Sequence, residues 1–114
     1  MYYVSKRLEI SAAHRLCLNY DSKCSALHGH NWIITVECKA AELNANGMVA
    51  DFTHIKEKIM ERLDHKVLND VVDFNPTAEN IARWIADMIP TCWRCTVQES
   101  EGNYATYEKE SCSA

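Results

Sequence analysis

Apolar and polar residues alternate along the first fifteen positions of the chain. Four even-numbered positions of this stretch carry large apolar side chains: Tyr2, Val4, Leu8 and Ile10. Because side chains two apart point to the same face of an extended backbone, the pattern predicts a first strand over residues 1–15, with His14 on the apolar face. A second apolar run covers residues 32–40, and it predicts a second strand that pairs with the first in antiparallel fashion.

Helical periodicity replaces this alternation after residue 50. Apolar residues recur at i, i+3, i+7 and i+11, which is one side of a helix: Phe52, Ile55, Ile59 and Leu63. This helix is expected to fade within residues 64–69. A second helical stripe follows: Ile81, Trp84, Ile85, Met88 and Ile89. Thr77 is its predicted N-cap, and Pro90 is expected to end it.

The chain returns to alternation after the second helix. Residues 92–99 predict a third strand with one shared face: Trp93, Cys95, Val97 and Glu99. A turn at 101–103 leads to a fourth strand over 104–108. The order is ββααββ, and it predicts one α+β domain spanning residues 1–114, with two helices on one face of a four-stranded antiparallel sheet. Since the edges of such a sheet are usually paired or covered, we expect an oligomer.

Composition and charge narrow the classes of function. The chain has 114 residues, of which 47% are hydrophobic and 25% charged, and its net charge is −4. No basic stripe is present, so nucleic acid is not an expected partner. The N-terminus lacks the apolar region of a secretory signal, and no apolar stretch is long enough to cross a bilayer. We therefore expect a cytoplasmic protein with no membrane partner.

Six cysteines are present: Cys17, Cys24, Cys38, Cys92, Cys95 and Cys112. In a cytoplasmic protein with this apolar content, reduced thiols are the expected state. Cys92 and Cys95 form a C-x-x-C. Redox pairs of this kind open a helix, whereas this one enters a predicted strand, where positions three apart face opposite ways. We expect neither a redox nor a zinc role for it.

A thiol and two imidazoles are concentrated just before the second strand, at Cys24, His28 and His30. On an extended backbone, His28 and His30 point the same way, and His14 supplies a third imidazole from the first strand. Three histidine nitrogens with one position left open are the ligand set of a catalytic zinc. The alternative is that these are ordinary surface or hydrogen-bonded core histidines, and spacing alone does not separate the two interpretations.

Six motifs, in this order, resemble those of the 6-pyruvoyltetrahydropterin synthase superfamily: Ser11–Leu16, Cys24–His30, Gly47–Phe52, Leu63–His65, Pro76–Asn80 and the segment around Glu99. The thiol four positions before His28 resembles the carboxy-forming members of that superfamily. The resemblance implies a tunnelling fold, in which the sheets of several subunits join into a barrel, as a trimer or a hexamer. It also implies conversion of 7,8-dihydroneopterin triphosphate to 6-carboxytetrahydropterin, acetaldehyde and triphosphate, for queuosine or deazapurine biosynthesis.

The same resemblance implies roles for individual residues. His14, His28 and His30 would hold zinc, and Cys24 would remove a proton from the substrate, supported by Asp64 and His65. Glu99 would anchor the pterin ring, and Thr77 and Glu79 would contact it, with sites shared between subunits. Two alternatives remain: a 6-pyruvoyltetrahydropterin synthase that keeps the three-carbon side chain, or a pterin-binding or zinc-binding protein without turnover.

Overall fold

The first two strands form the longest pairing in the molecule. The computed structural model describes residues 1–110; Cys112 lies outside them. Strand β1 (Tyr2–His14) pairs antiparallel with β2 (His28–Ala40), from Tyr2 opposite Ala40 to His14 opposite His28. The predicted pairing is confirmed, but β2 begins four residues earlier than predicted. The segment from His28 to His30 therefore lies inside the sheet rather than before it.

The two predicted helices are confirmed as α1 (Phe52–Leu63) and α3 (Ala78–Met88). Asp51 caps α1 by accepting a hydrogen bond from the backbone N–H of Thr53, and Thr77 caps α3 by accepting one from Asn80. Side-chain oxygens at these positions satisfy backbone donors that the first turn of a helix leaves unpaired. The predicted N-cap role of Thr77 is thus present in the structure.

The prediction of a purely antiparallel, four-stranded sheet is wrong. A two-residue strand, β3 (Lys66–Val67), pairs parallel with Ala12 and Ala13 of β1. A four-residue helix, α2 (Leu68–Val71), follows it directly. With β4 (Cys92–Ser100) and β5 (Asn103–Glu108), the sheet is mixed and has the order β3-β1-β2-β4-β5. Two residues are too short for an alternating pattern, so this strand had no periodic signal to predict it.

Because of a β-bulge at the start of β4, two predictions about which face of the sheet a side chain occupies are wrong. The register with β2 shifts between Glu37 and Cys38, which leaves Trp93 as an extra residue. Trp93 packs against Tyr3, 6.3 Å between ring centroids, and under the Lys39 ammonium, on the side of the sheet away from the helices. It does not share a face with Cys95 and Val97. Cys92 and Cys95 are instead both buried, so the prediction that they face opposite ways is wrong.

One hydrophobic core lies between the sheet and the helices. It joins alternate residues of β1, β2 and β4 to the apolar stripes of α1 and α3, so both helices cover one face, as predicted. Burial raises the pKa of Cys95 to about 12, which leaves this thiol protonated and inert at neutral pH. Among residues 1–110, no helix combines the length and the apolar character that a membrane crossing requires.

Candidate metal centre

Strand pairing brings three imidazoles together at the end of the β1–β2 ladder. His14 and His28 are direct partners in the register, and His30 lies two residues further along β2. The ring of His14 is 4.6 Å from that of His28 and 5.3 Å from that of His30, between centroids. The convergence agrees with the strand pattern. The role of these residues as metal ligands stays a prediction.

Backbone carbonyls fix the orientation of two of the rings. His14 Nδ1 lies 2.8 Å from the carbonyl oxygen of Pro76, and His28 Nδ1 lies 2.7 Å from that of Ala26. A carbonyl only accepts hydrogen bonds, so each Nδ1 carries a proton, and in the neutral form of either ring the lone pair is on Nε2. In a metal-binding histidine, the ring nitrogen that does not bind the metal typically donates a hydrogen bond to a group such as a backbone carbonyl. The ring of His14 is completely buried.

A carboxylate completes the cluster. Glu99 Oε1 lies 2.8 Å from His14 Nε2 and 3.2 Å from His30 Nε2. The register between β4 and β5 shifts between Gln98 and Ser100, which makes Glu99 the extra residue of a second bulge, and bulges commonly re-aim a side chain. One ligand atom from each of the four residues lies within 4.8 Å of the other three. The sequence predicted Glu99 as a pterin anchor and did not place it beside the histidines.

The donor set fits a divalent cation. Nε2 of His14 and of His30 are buried, and neither makes a hydrogen bond of acceptable geometry, although Glu99 is close to both. An unpaired buried nitrogen costs free energy unless another partner satisfies it. Burial, the largest influence, lowers the pKa of His30, which favours the neutral imidazole that metals bind. Ligand atoms around tetrahedral zinc lie about 3.4 Å apart at the usual zinc–nitrogen distance. Small side-chain rotations would therefore bring the four ligand atoms, now within 4.8 Å of one another, to that separation.

Trp32 forms the floor of this cluster and was not predicted from the sequence. It is fully buried, with its ring edge-on to His14 at 4.8 Å and to His30 at 5.5 Å between centroids. Its Nε1–H donates to the carbonyl oxygen of Ala12 at 3.0 Å, which ties β2 to β1 beneath the histidines. The sequence signal that could have identified Trp32 is its position two residues after His30, which puts both side chains on the same face of the strand.

Asp64 and His65 form a second group, held against β1 through Ser11. Asp64 Oδ1 accepts a hydrogen bond from the backbone N–H of Ser11 at 2.9 Å, and the N–H of His65 donates to the Ser11 carbonyl at 2.7 Å. His65 Nε2 lies 3.5 Å from Asp64 Oδ2. The His65 side chain is 81% exposed. The two side chains lie close together, and their role as a proton relay stays a prediction; His65 is open to solvent in the single chain.

His65 has a left-handed backbone conformation, with φ of 57°. This region is costly for residues with a Cβ and free of that cost for glycine. Replacing His65 with glycine is therefore expected to leave the free energy of unfolding unchanged or to raise it by up to about 1 kcal/mol. Urea unfolding checks this. If turnover falls while stability does not, the imidazole serves function rather than folding; a clear loss of stability would contradict this prediction.

The remaining predicted residues belong to neither of these groups. Cys24 is half-buried in a single 3₁₀ turn (Lys23–Ser25) and is not one of the four clustered residues. Glu79 is exposed in the first turn of α3. A cavity of about 550 Å³ has both His30 and His65 in its lining, together with Ser11, Gly29 and Asn31. One residue of the metal cluster, His30, and one residue of the second group, His65, thus border a space large enough for a small ligand.

Known proteins place the chain in a family. The model of the 6-pyruvoyl tetrahydropterin synthase family matches residues 3–110. The 6-carboxy-5,6,7,8-tetrahydropterin synthase of Bacillus subtilis is 29% identical over 93% of this chain and 84% of that protein. The 6-pyruvoyl tetrahydrobiopterin synthase of Dictyostelium discoideum is 32% identical over 94% and 96%. The structure of Caenorhabditis elegans 6-pyruvoyl tetrahydropterin synthase superposes with a TM-score of 0.77, at 25% identity, over 96% of both chains. The chain belongs to the 6-pyruvoyl tetrahydropterin synthase family.

Proposed function

We propose that this protein is a zinc-dependent carbon–carbon lyase. Its substrates would be 7,8-dihydroneopterin triphosphate and one molecule of water, and its products 6-carboxytetrahydropterin, acetaldehyde and triphosphate. The observation that carries the proposal is the cluster of His14, His28 and His30, which offer ring nitrogens within 4.8 Å of one another. Nε2 of His14 and Nε2 of His30 are also buried without a hydrogen-bond partner. The name of the Bacillus subtilis relative supports the carboxy-forming reaction over others in the family. The product would enter queuosine or deazapurine biosynthesis in the cytoplasm.

The three histidines would hold the zinc ion. A bound zinc ion acts as a Lewis acid that lowers the pKa of coordinated hydroxyl groups and stabilises a developing oxyanion. Within the chain, the Pro76 and Ala26 carbonyls keep two of the rings in the metal-binding tautomer. Trp32 closes the cluster from below and excludes water from that side. These residues would hold the side-chain hydroxyls of the substrate at a fixed position.

Cys24 would be the base that removes a proton from the carbon next to the pterin ring. A free thiol has a pKa of about 8.5 and needs a nearby positive charge to form thiolate at neutral pH. His65 would relay the proton, and Asp64 would fix its tautomer and stabilise the imidazolium. Thr77 and Glu79 would lie near the bound pterin, because the Pro76 carbonyl ties the start of α3 to His14.

We propose that subunits share the site, in a trimer or hexamer. Within one chain, His65 is largely exposed and Cys24 lies outside the metal cluster, so a neighbouring copy would bring the two together. Mixing two inactive variants, Cys24→Ala and His65→Ala, after joint refolding is expected to restore part of the activity, since some interfaces then carry both native residues. Light scattering should show an assembly at micromolar concentration. A monomer that turns over substrate at the same concentration would contradict the shared site.

The direct test is incubation of zinc-loaded protein with 7,8-dihydroneopterin triphosphate. Acetaldehyde release and the mass of 6-carboxytetrahydropterin are the expected results. A product that keeps the three-carbon side chain would instead identify a 6-pyruvoyltetrahydropterin synthase, an alternative favoured by the similarity to the Dictyostelium and Caenorhabditis proteins. Bound zinc and bound pterin without any product would identify a binding protein.

A further inference from the structure

Two buried cysteines that the proposed reaction does not use face each other across the sheet. Cys38 of β2 is the direct partner of Cys92 in the register with β4, and the two residues are 0% and 2% exposed. Next to them, the backbone N–H of Lys39 donates to the carbonyl oxygen of Thr91 at 3.0 Å. The N–H of Cys92 donates to Ile89 and not to Cys38. Cys38 and Cys92 are therefore a non-hydrogen-bonded pair of the antiparallel ladder, the kind in which side chains lie closest.

The spacing of such a pair suits a disulfide. Directly opposed residues in a non-hydrogen-bonded pair have Cα atoms about 4.5 Å apart, and disulfides join Cα atoms that are about 4.4–6.8 Å apart. Both thiols are free and belong to the hydrophobic core, on the face of the sheet that the helices cover. Cys95 is opposite Val36, so it is not the direct partner of either thiol. Cys38 and Cys92 are thus placed to form a bond without movement of the backbone.

The two thiols differ in how readily they lose a proton. The hydrogen bond from Cys92 lowers the pKa of Cys38, against the effect of burial, and Thr91 also lowers it. The same hydrogen bond raises the pKa of Cys92, and burial adds to that effect. The more acidic thiol of the pair is therefore Cys38. Since thiolates rather than thiols react with oxidants, Cys38 is the sulfur that an oxidant attacks first.

We propose that Cys38 and Cys92 are an oxidation site for peroxides, whose product is a disulfide that joins the end of β2 to the start of β4. The Cys38 thiolate attacks one oxygen of the peroxide, the O–O bond breaks, and hydroxide leaves with the proton that Cys38 first lost, which gives a sulfenic acid. The Cys92 sulfur then attacks the Cys38 sulfur, the S–O bond breaks, and the hydroxyl leaves as water with the Cys92 proton. Two electrons pass from the thiols to the peroxide. A dithiol reductant reverses the change by thiol–disulfide exchange.

The position of the pair at the ends of its strands gives a small oxidant access. Cys92 is the first residue of β4, and Cys38 lies two residues before the end of β2. Strand ends open locally at a lower free energy than the middle of a sheet. Cys38 is opposite Val4 near the start of β1, whereas the histidine cluster lies at the end of that strand. The inference is therefore independent of the proposed function.

The first experiment maps the disulfide in the full-length wild type. The reduced, folded protein is treated with hydrogen peroxide, its remaining thiols are blocked with iodoacetamide, and it is digested with trypsin. Trypsin cleaves after lysine and arginine, so Cys38 falls in the peptide 24–39 and Cys92 in the peptide 84–94. We expect these two peptides to be linked, and the link to disappear after treatment with dithiothreitol. Fragmentation should place it at Cys38 rather than at Cys24.

Other results of the mapping would overturn the proposed pair. Trypsin also cleaves between Cys92 and Cys95, so a disulfide within the C-x-x-C would join the peptide 84–94 to its neighbour and be recognised. That link, a link from Cys24 to Cys17 in place of the expected one, or no linked peptide at all would each contradict the assignment.

The second experiment compares the urea unfolding of oxidised and reduced wild type. The disulfide closes a loop over residues 38–92, which contains α1 and α3, and a cross-link across a long loop restricts the unfolded chain. The urea concentration at the midpoint of unfolding should therefore be about 1 M or more higher for the oxidised form. Cys92→Ala should abolish this difference. Cys17→Ala, which removes an exposed thiol outside the pair, should keep it.

The comparison of the two wild-type forms decides the matter even if a variant fails to fold, and Cys38→Ala is then the substitute for Cys92→Ala. An oxidised wild type that unfolds at the same or a lower urea concentration would overturn the stabilising cross-link. None of these results bears on the proposed lyase reaction, because neither experiment measures turnover or bound metal.

Discussion

A variant in which alanine replaces His28 is expected to fold, to purify without zinc and to lose turnover about a thousandfold or more. Lewis-acid stabilisation supplies several kcal/mol, and each 1.36 kcal/mol is about a factor of ten in rate. His28 is half-buried, and the Ala26 carbonyl that it leaves behind lies at the surface, where water can replace the lost hydrogen bond. The substitution should therefore remove zinc binding without unfolding the protein.

The other histidines give less direct versions of this experiment. Replacing His14 also leaves the carbonyl of Pro76 unpaired in a buried position, which costs about 1–3 kcal/mol of stability. His54 is the matched control, because its side chain is 78% exposed on α1, near Asp51 and away from the cluster. For the His28 variant and the His54 control, the quantities to measure are the zinc content per chain and the release of acetaldehyde. Full zinc occupancy and full turnover in the His28 variant would show that the cluster is not the metal centre.

Much of this architecture follows from residue periodicity. The even-numbered face of β1 holds Leu8, Ile10 and His14 against the helices, as the period of two required. The stripe that includes Ile55, Ile59 and Leu63 packs as the helical period predicts. The pattern also grouped His14 with His28 and His30, but it did not predict the register that sets His14 opposite His28, because β2 was expected to begin at Trp32. Regular elements transmit their periodicity over many residues, so the position of each side chain is determined.

The errors occur where one residue interrupts a regular pattern. The bulge at Trp93 inverts the facing of Cys92 and Trp93 relative to the rest of β4, and alternation alone carries no signal for an extra residue. A second bulge at Glu99 sets the carboxylate against His14, a contact that depends on tertiary geometry. The left-handed backbone conformation of His65 is likewise confined to one residue, so periodicity does not predict it. These three irregularities adjoin the candidate site or the end of the sheet, where local geometry rather than periodicity positions the side chains.

Replacing Cys24 with alanine is expected to lower turnover about 10²–10⁴-fold, the usual contribution of a positioned general base, while zinc content stays unchanged. The hydrogen bonds that hold Cys24 in place involve its backbone: its carbonyl accepts from the N–H of Leu16 at 2.9 Å, and its own N–H donates to Ser22 Oγ at 3.1 Å. Removing the sulfur thus leaves the 3₁₀ turn intact. Any loss of rate then reports on proton transfer rather than on the loop.

Cys17 provides the control for this variant, because it is an exposed thiol in the same β1–β2 connection. Its replacement by alanine should leave turnover unchanged. Serine at position 24 separates two explanations, since a hydroxyl fills nearly the same space but is a much weaker acid than a thiol and gives almost no anion at neutral pH. If Cys24 acts by filling space, the serine variant keeps its activity. If Cys24 acts as a thiolate base, serine and alanine fail alike, and a thiol at this position is then a chemical requirement of the reaction.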